Sequence, residues 1–173
     1  MIALSLEEIL QRKKEQKEKE SISVDWGKEK SLWIQSVDTL YANIENWLAP
    51  YKEKELLDFT YKNIDLNETD IGAYQIRQMN IKLPDEVIRL TPLGTMLIGA
   101  FGRIDIESKI KTVPLVLLKD ENENQENLKV ETQEEKWKNL SWKILLKNPN
   151  KPIYMNLDET SFSDIFKEII NYD

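Results

Sequence analysis

Cysteine and histidine are both absent from the 173-residue chain. Without cysteine there is no disulfide, no thiolate nucleophile and no zinc–thiolate site. Without histidine the chain lacks the side chain most used for proton transfer near neutral pH and the commonest transition-metal ligand. Serine–histidine and cysteine–histidine catalysis are therefore excluded. Any catalysis would rest on carboxylates, lysine, tyrosine or a hard metal ion. Arginine is scarce, occurring only at Arg12, Arg77, Arg89 and Arg103, and the net charge is −7. Phosphate-backbone binding draws its affinity from cationic charge, so nucleic acid is not an expected partner, whereas a basic protein is.

Long hydrophobic runs are missing too. No stretch reaches the ~18 apolar residues a membrane span needs. Met1–Leu10 carries Glu7 and Glu8 and lacks the apolar centre of a secretory signal, so a cytoplasmic protein is expected. Hydrophobic residues make up 40% and charged residues 32%, which suits a globular chain able to bury a core.

What is present has a clear centre. Residues 86–119 form the longest apolar, β-branched stretch, interrupted by Pro92, Gly94, Gly99 and Gly102. It reads as three consecutive antiparallel strands: Val87–Leu90, Thr95–Ile106 and Thr112–Leu118, with a turn at Pro92–Gly94. Glycine weakens a strand, so Gly99 and Gly102 are expected to mark a bend or a close backbone approach. Pro114 argues for an edge or a bulge at its position.

Ahead of this centre, Ser5-Leu6-Glu7-Glu8 fits a capping box for a helix over about 5–20, with Leu4 and Ile9 placed as a hydrophobic staple. The following QRKKEQKEKE has no apolar face and reads as a solvated arm. Trp33, Val37, Leu40, Tyr41, Ile44, Trp47 and Leu48 recur at helical spacing over 26–49, and Pro50 is expected to end that helix or to sit just past its end. Its two tryptophans are expected as core anchors. Leu57, Phe59 and Tyr61 alternate, then Ile64 and Leu66 in the shifted phase, which predicts a β-bulge near Lys62–Asn63. A matching break falls near Arg77–Gln78 in the next strand. Residues 120–136 are polar and acidic and read as a mobile connection that has room for a short helical turn. Trp142–Leu146 and Ile153–Leu157 are further strand candidates. A last helix over 161–171 is expected to start at Ser161 and to present Phe162, Ile165, Phe166, Ile169 and Ile170 as its apolar stripe.

The expected fold is α+β. Two N-terminal helices precede an antiparallel meander of six or seven strongly curved strands, and a C-terminal helix packs on the sheet. Residues 1–24 form a helical arm and 25–173 a single domain. The topology resembles pleckstrin-homology-like barrels, though no dense basic loop is present to meet anionic lipid.

Leu90–Thr95, Leu97–Ala100 and Gly102–Asp105 together resemble a group of uncharacterised bacterial proteins sharing a "GT-LIGA-GR-D" strand pair, a later tryptophan-led strand and a short C-terminal helix. The resemblance implies this outline of fold and no activity.

The most pointed local feature is Gly99–Asp105. Arg103 and Asp105 lie two apart on one strand and share a face. They would form an ion pair on a glycine-bent strand, or a grip on a carboxylate or phosphate. Gly99, Gly102, Arg103 and Asp105 are thus the candidate binding residues. Separately, Pro84-Asp85 followed by Glu107-Ser108-Lys109 resembles the PD-(D/E)xK nuclease signature. That resemblance implies metal-dependent hydrolysis by Asp85, Asp105 or Glu107, and Lys109. The favoured expectation is a non-enzymatic interaction protein without cofactor: a small acidic adaptor, or an inhibitor or immunity-type partner of another bacterial protein. The oligomeric state stays open.

Overall fold

A computed structural model describes residues 4–95, 99–120, 132–147 and 150–172, with backbone alone for 17–23. The elements are α1 (Leu6–Ser23), α2 (Trp26–Glu53), β1 (Asp58–Glu68), β2 (Gly72–Lys82), β3 (Val87–Gly94), β4 (Gly102–Glu107), β5 (Thr112–Lys119), α3 (Gln133–Lys136), β6 (Leu140–Leu146), β7 (Ile153–Asn156) and α4 (Glu159–Ile169). The strands form one sheet in the order β1 to β7, every neighbour antiparallel. The α+β meander expected from the sequence is thus the observed fold. No described helix is long and apolar enough to cross a membrane.

One core holds α2, the sheet and α4 together. Trp33, Val37, Leu40, Tyr41, Ile44 and Leu48 of α2 share it with Ile88 and Leu90 of β3, Ile104 and Ile106 of β4, Leu115 of β5 and Phe162, Ile165 and Ile169 of α4. Trp33 is fully buried, as a core anchor should be. Trp47 is only partly buried and touches Phe162, with ring centroids 5.5 Å apart.

The Ser5 capping box on α1 forms as expected, Ser5 Oγ accepting the Glu8 N–H and Glu8 accepting the Ser5 N–H. The staple residues Leu4 and Ile9 both remain exposed, as do Leu6 (71%) and Leu10.

Several expectations give way, each for a physical reason. α2 does not stop at Pro50 but runs one turn further, to Glu53. Pro50 lacks only the single N–H that would bond the Asn46 carbonyl, and the buried Leu48 beside it holds the turn in place. No bulge breaks β1. Its pairing with β2 runs from Asp58↔Lys82 to Glu68↔Gly72 without an inserted residue. The phase change is still real, because it falls at opposed residues, Lys62↔Gln78 and Asn63↔Arg77. Met79 and Ile81 on one side of the break and Tyr74 and Ile76 on the other all reach the same core. Pairing of β2 with β3 ends at Met79↔Leu90, so the distal half of the β1–β2 hairpin is a two-stranded ribbon, which coils more than a full sheet.

β3 continues through Pro92 to Gly94, where the expected turn becomes a register shift against β4. Pro92 lies past the last β2 pair, so one side of the strand has no ladder for its missing N–H to break. β4 begins at Gly102, not at Thr95; residues 96–98 lie outside the described set. Pro114 pairs with Asp105 on β4, and β6 pairing starts only at Leu115, so β5 is locally one-sided there. α4 is capped by Asp158, with Ser161 three residues inside as the other half of a capping box. The bulk of the expected mobile connection, 121–131, lies outside the described residues.

Candidate functional site

The sequence-derived binding residues separate into three roles. Arg103 donates to Asp105 from Nε to Oδ1 at 2.8 Å and from Nη2 to Oδ2 at 3.3 Å. The pair lies on the sheet face opposite the helices, since Ile104 and Ile106 between and beside them point into the core. Asp105 is only 9% exposed, and the guanidinium satisfies it by a two-point contact. Gly102 serves the other face: it makes room for Trp33. Gly99 adopts φ +79° in a turn, and among the described residues nothing closely approaches it.

The hydrolase residues gather only in part. The β2–β3 turn and the β4–β5 turn stand at the same end of the sheet, and Lys109 Nζ donates to the Asp85 backbone carbonyl at 3.3 Å. Glu107 pairs across the ladder with Arg89 and Thr112. Asp105 is engaged by Arg103. Among the described residues no three acidic side chains stand close enough to hold a metal ion.

Sequence reasoning missed two buried carboxylates. Glu68 accepts from the Thr95 N–H at 2.7 Å, the Thr95 hydroxyl at 2.8 Å and the Tyr74 hydroxyl. Burial first, and then the Glu68 carboxylate, push the Tyr74 hydroxyl well above the usual tyrosine range. Glu86 accepts the Asn171 N–H at 3.1 Å and ties the C-terminal end of the chain to the β2–β3 turn. Glu68 shares a hairpin with Tyr74, but its Thr95 partner lies 27 residues away and the Asn171 partner of Glu86 lies 85 away, so neither contact is marked locally.

It also missed a groove of about 440 Å³ between α2 and the start of β6. Leu32, Gln35, Ser36, Thr39, Asn43 and Trp47 form its helical wall, a single stripe at three- and four-residue steps. Trp137, Leu140, Ser141, Trp142 and Leu157 form the other wall. Each of its three indoles rests on another aromatic ring. Trp142 lies 6.0 Å from Trp33, Trp47 5.5 Å from Phe162, and Trp137 5.3 Å edge-on from Phe101. Such backing fixes large side chains in place before anything binds.

The wall carrying Trp137 is tied to α2 from outside. Gln133 of α3 donates to the Asp25 carbonyl at 2.8 Å and to Glu29 at 2.7 Å, and accepts the Asp25 N–H at 3.2 Å. Lys28 pairs with Glu134. At the floor, the β6–β7 ladder ends at Lys143↔Asn156, with one further bond from the Leu157 N–H to the Trp142 carbonyl. The Leu140 end of β6 therefore has β5 on one side and the groove on the other.

No family model matches the chain, and no curated protein or solved structure matches it either.

Proposed function

We propose that this chain is a non-catalytic interaction protein whose groove between α2 and β6 receives an extended segment of a protein partner. The observation that carries this reading is the set of three ring-backed indoles, Trp47, Trp137 and Trp142, set among the amide and hydroxyl groups of Gln35, Asn43, Thr39 and Ser141. Rigid aromatic anchors beside adaptable polar groups are also how antibody-type binding surfaces combine contact area with hydrogen bonding. The helical wall from Leu32 to Trp47 is ~22 Å long at 1.5 Å per residue, room for roughly seven residues of extended chain. Among the described residues no strand pairs with β6 on that side at Leu140, which leaves backbone partners for such a segment. With a net charge of −7, a basic partner is favoured on approach. Adaptor and inhibitor are both uses of such a surface.

The test is affinity purification of the full chain from its native host, in parallel with Thr39→Arg and Trp137→Ala. Thr39→Arg fills the groove from an exposed helix position and leaves the core alone. Expected is a stoichiometric protein partner with the unaltered chain and its loss with both variants. A partner retained by both, or none at all, overturns the reading.

A further inference from the structure

We propose that β7 is a self-pairing edge through which two copies of this chain join antiparallel about a twofold axis at Tyr154. The meander ends in two edges of opposite character. β1 carries Asp58, Lys62 and Asp65 along its length, exposed charges of the kind that discourage edge-to-edge pairing. β7, Ile153–Asn156, carries none, and Ile153 and Tyr154 are 42% and 48% exposed. Among the described strands only β6 pairs with it.

The free backbone groups on this edge decide what fits. The Leu157 N–H donates to the Trp142 carbonyl of β6 at 3.1 Å. Ladder groups alternate along a strand, so Ile153 and Met155 also face β6, and Pro152, Tyr154 and Asn156 face outward. Pro152 has no N–H. The Asn156 carbonyl already accepts from Ser161 Oγ at 2.7 Å. Among the described residues, nothing bonds the N–H and C=O of Tyr154, the C=O of Pro152 or the N–H of Asn156.

Two such edges satisfy each other. With the axis at Tyr154, each Tyr154 N–H donates to the other copy's Tyr154 carbonyl, and each Asn156 N–H to the other copy's Pro152 carbonyl. The two bonds this register leaves out are those from the proline nitrogen and to the Asn156 carbonyl, both already out of use. An axis at Met155 would instead need the Asn156 carbonyl as an acceptor in both copies. Tyr154 then lies against its own counterpart on one face, and Ile153 against Met155 on the other. No like charges meet, and the contact is isologous, so it closes at two copies.

The contact is short, which places it at the weak, reversible end of specific interfaces. Sedimentation velocity of the full chain from micromolar to millimolar concentration should show the mass doubling. Tyr154→Pro removes the two central bonds but no β6–β7 bond, because that N–H points outward; it should hold the chain monomeric with an unchanged circular dichroism spectrum and melting temperature. Tyr154→Lys keeps the backbone groups and sets two like charges face to face, and should weaken association several-fold, with partial recovery in high salt. A chain monomeric at millimolar concentration overturns the proposal, as does a dimer that neither substitution weakens. A different protein strand found on β7 of a solitary copy also overturns it.

Discussion

The six-membered ring of Trp33 lies directly against the backbone of Gly102. A Cβ built at residue 102 falls 2.1 Å from Trp33 Cζ3 and 2.6 Å from Cε3. No side chain is compatible with that approach, and Trp33 is fully buried and braced by Trp142. Gly102→Ala should therefore destabilise the protein by about 3 kcal/mol, the upper end of the usual overpacking range. The check is the urea midpoint at unchanged m value. In a Trp33→Leu background the same substitution should cost much less, because the two residues are coupled. Equal cost in both backgrounds would show that the indole is not the reason for the glycine.

Glu68 joins the β1–β2 turn to the start of the β3–β4 connection. It takes both the N–H and the hydroxyl of Thr95, and a Cβ at Gly94 would come within 2.9 Å of it. Glu68→Ala strands the Thr95 N–H and the Tyr74 hydroxyl and should cost about 2–3 kcal/mol. Glu68→Gln keeps an acceptor of the same reach and should recover more than half of that. Faster amide exchange at Thr95 in the alanine variant would locate the loss; unchanged exchange would sink the assignment.

Pro50 sits inside the last full turn of α2, opposite a carbonyl it cannot serve. Pro50→Ala restores that hydrogen bond. A proline in a helix interior costs ~3 kcal/mol, partly offset by its stiffening of the unfolded chain, so a net gain of about 1–2 kcal/mol is expected. Thermal melting of the variant checks this, and a lower melting temperature would mean that the ring itself packs usefully.

Three tyrosines make the fold sensitive to alkali. Burial, before any other cause, raises the hydroxyls of Tyr41, Tyr61 and Tyr74 above the ordinary range. The acceptor carboxylates Glu45 and Glu68 add to the effect at Tyr61 and Tyr74. In the unfolded chain these groups lose their protons near pH ~10, while the folded protein keeps them. The native state then binds more protons, so stability is full below about pH 9 and falls as pH rises beyond about 10. Urea midpoints against pH should bend downward there. Tyr61→Phe should flatten the bend without shifting the neutral plateau upward.

How much of this was legible beforehand depends on the range of each cause. The Ser5 cap, the apolar stripe of α2 and the Arg103–Asp105 pair are set by residues at most a few positions apart, and all three are found. The cap of α4 moved from Ser161 to Asp158 because two good capping residues stood three apart, and only the path out of β7 chose between them. The expected bulge vanished because an apolar phase change has two explanations. An extra residue in one strand is one; opposed breaks in both strands are the other, and pairing partners alone distinguish them. The groove was not legible at all. Trp47 reads as a core anchor and Trp142 as the head of a strand, and nothing in their separation places them on facing walls.

By itself, then, the chain's pattern of apolar spacing, caps and turn residues determined its elements, their antiparallel succession, and the exclusion of thiol and imidazole chemistry. Those properties follow from local sterics, hydrogen-bond supply and composition. Tertiary structure alone decided why Gly102 must be glycine, where Glu68 and Glu86 find their donors, which strands stand at the two ends of the sheet, and that three indoles share one groove. Each of those depends on the packing of segments far apart in the chain, where contact is set by the shape of the whole core and not by any neighbour in sequence.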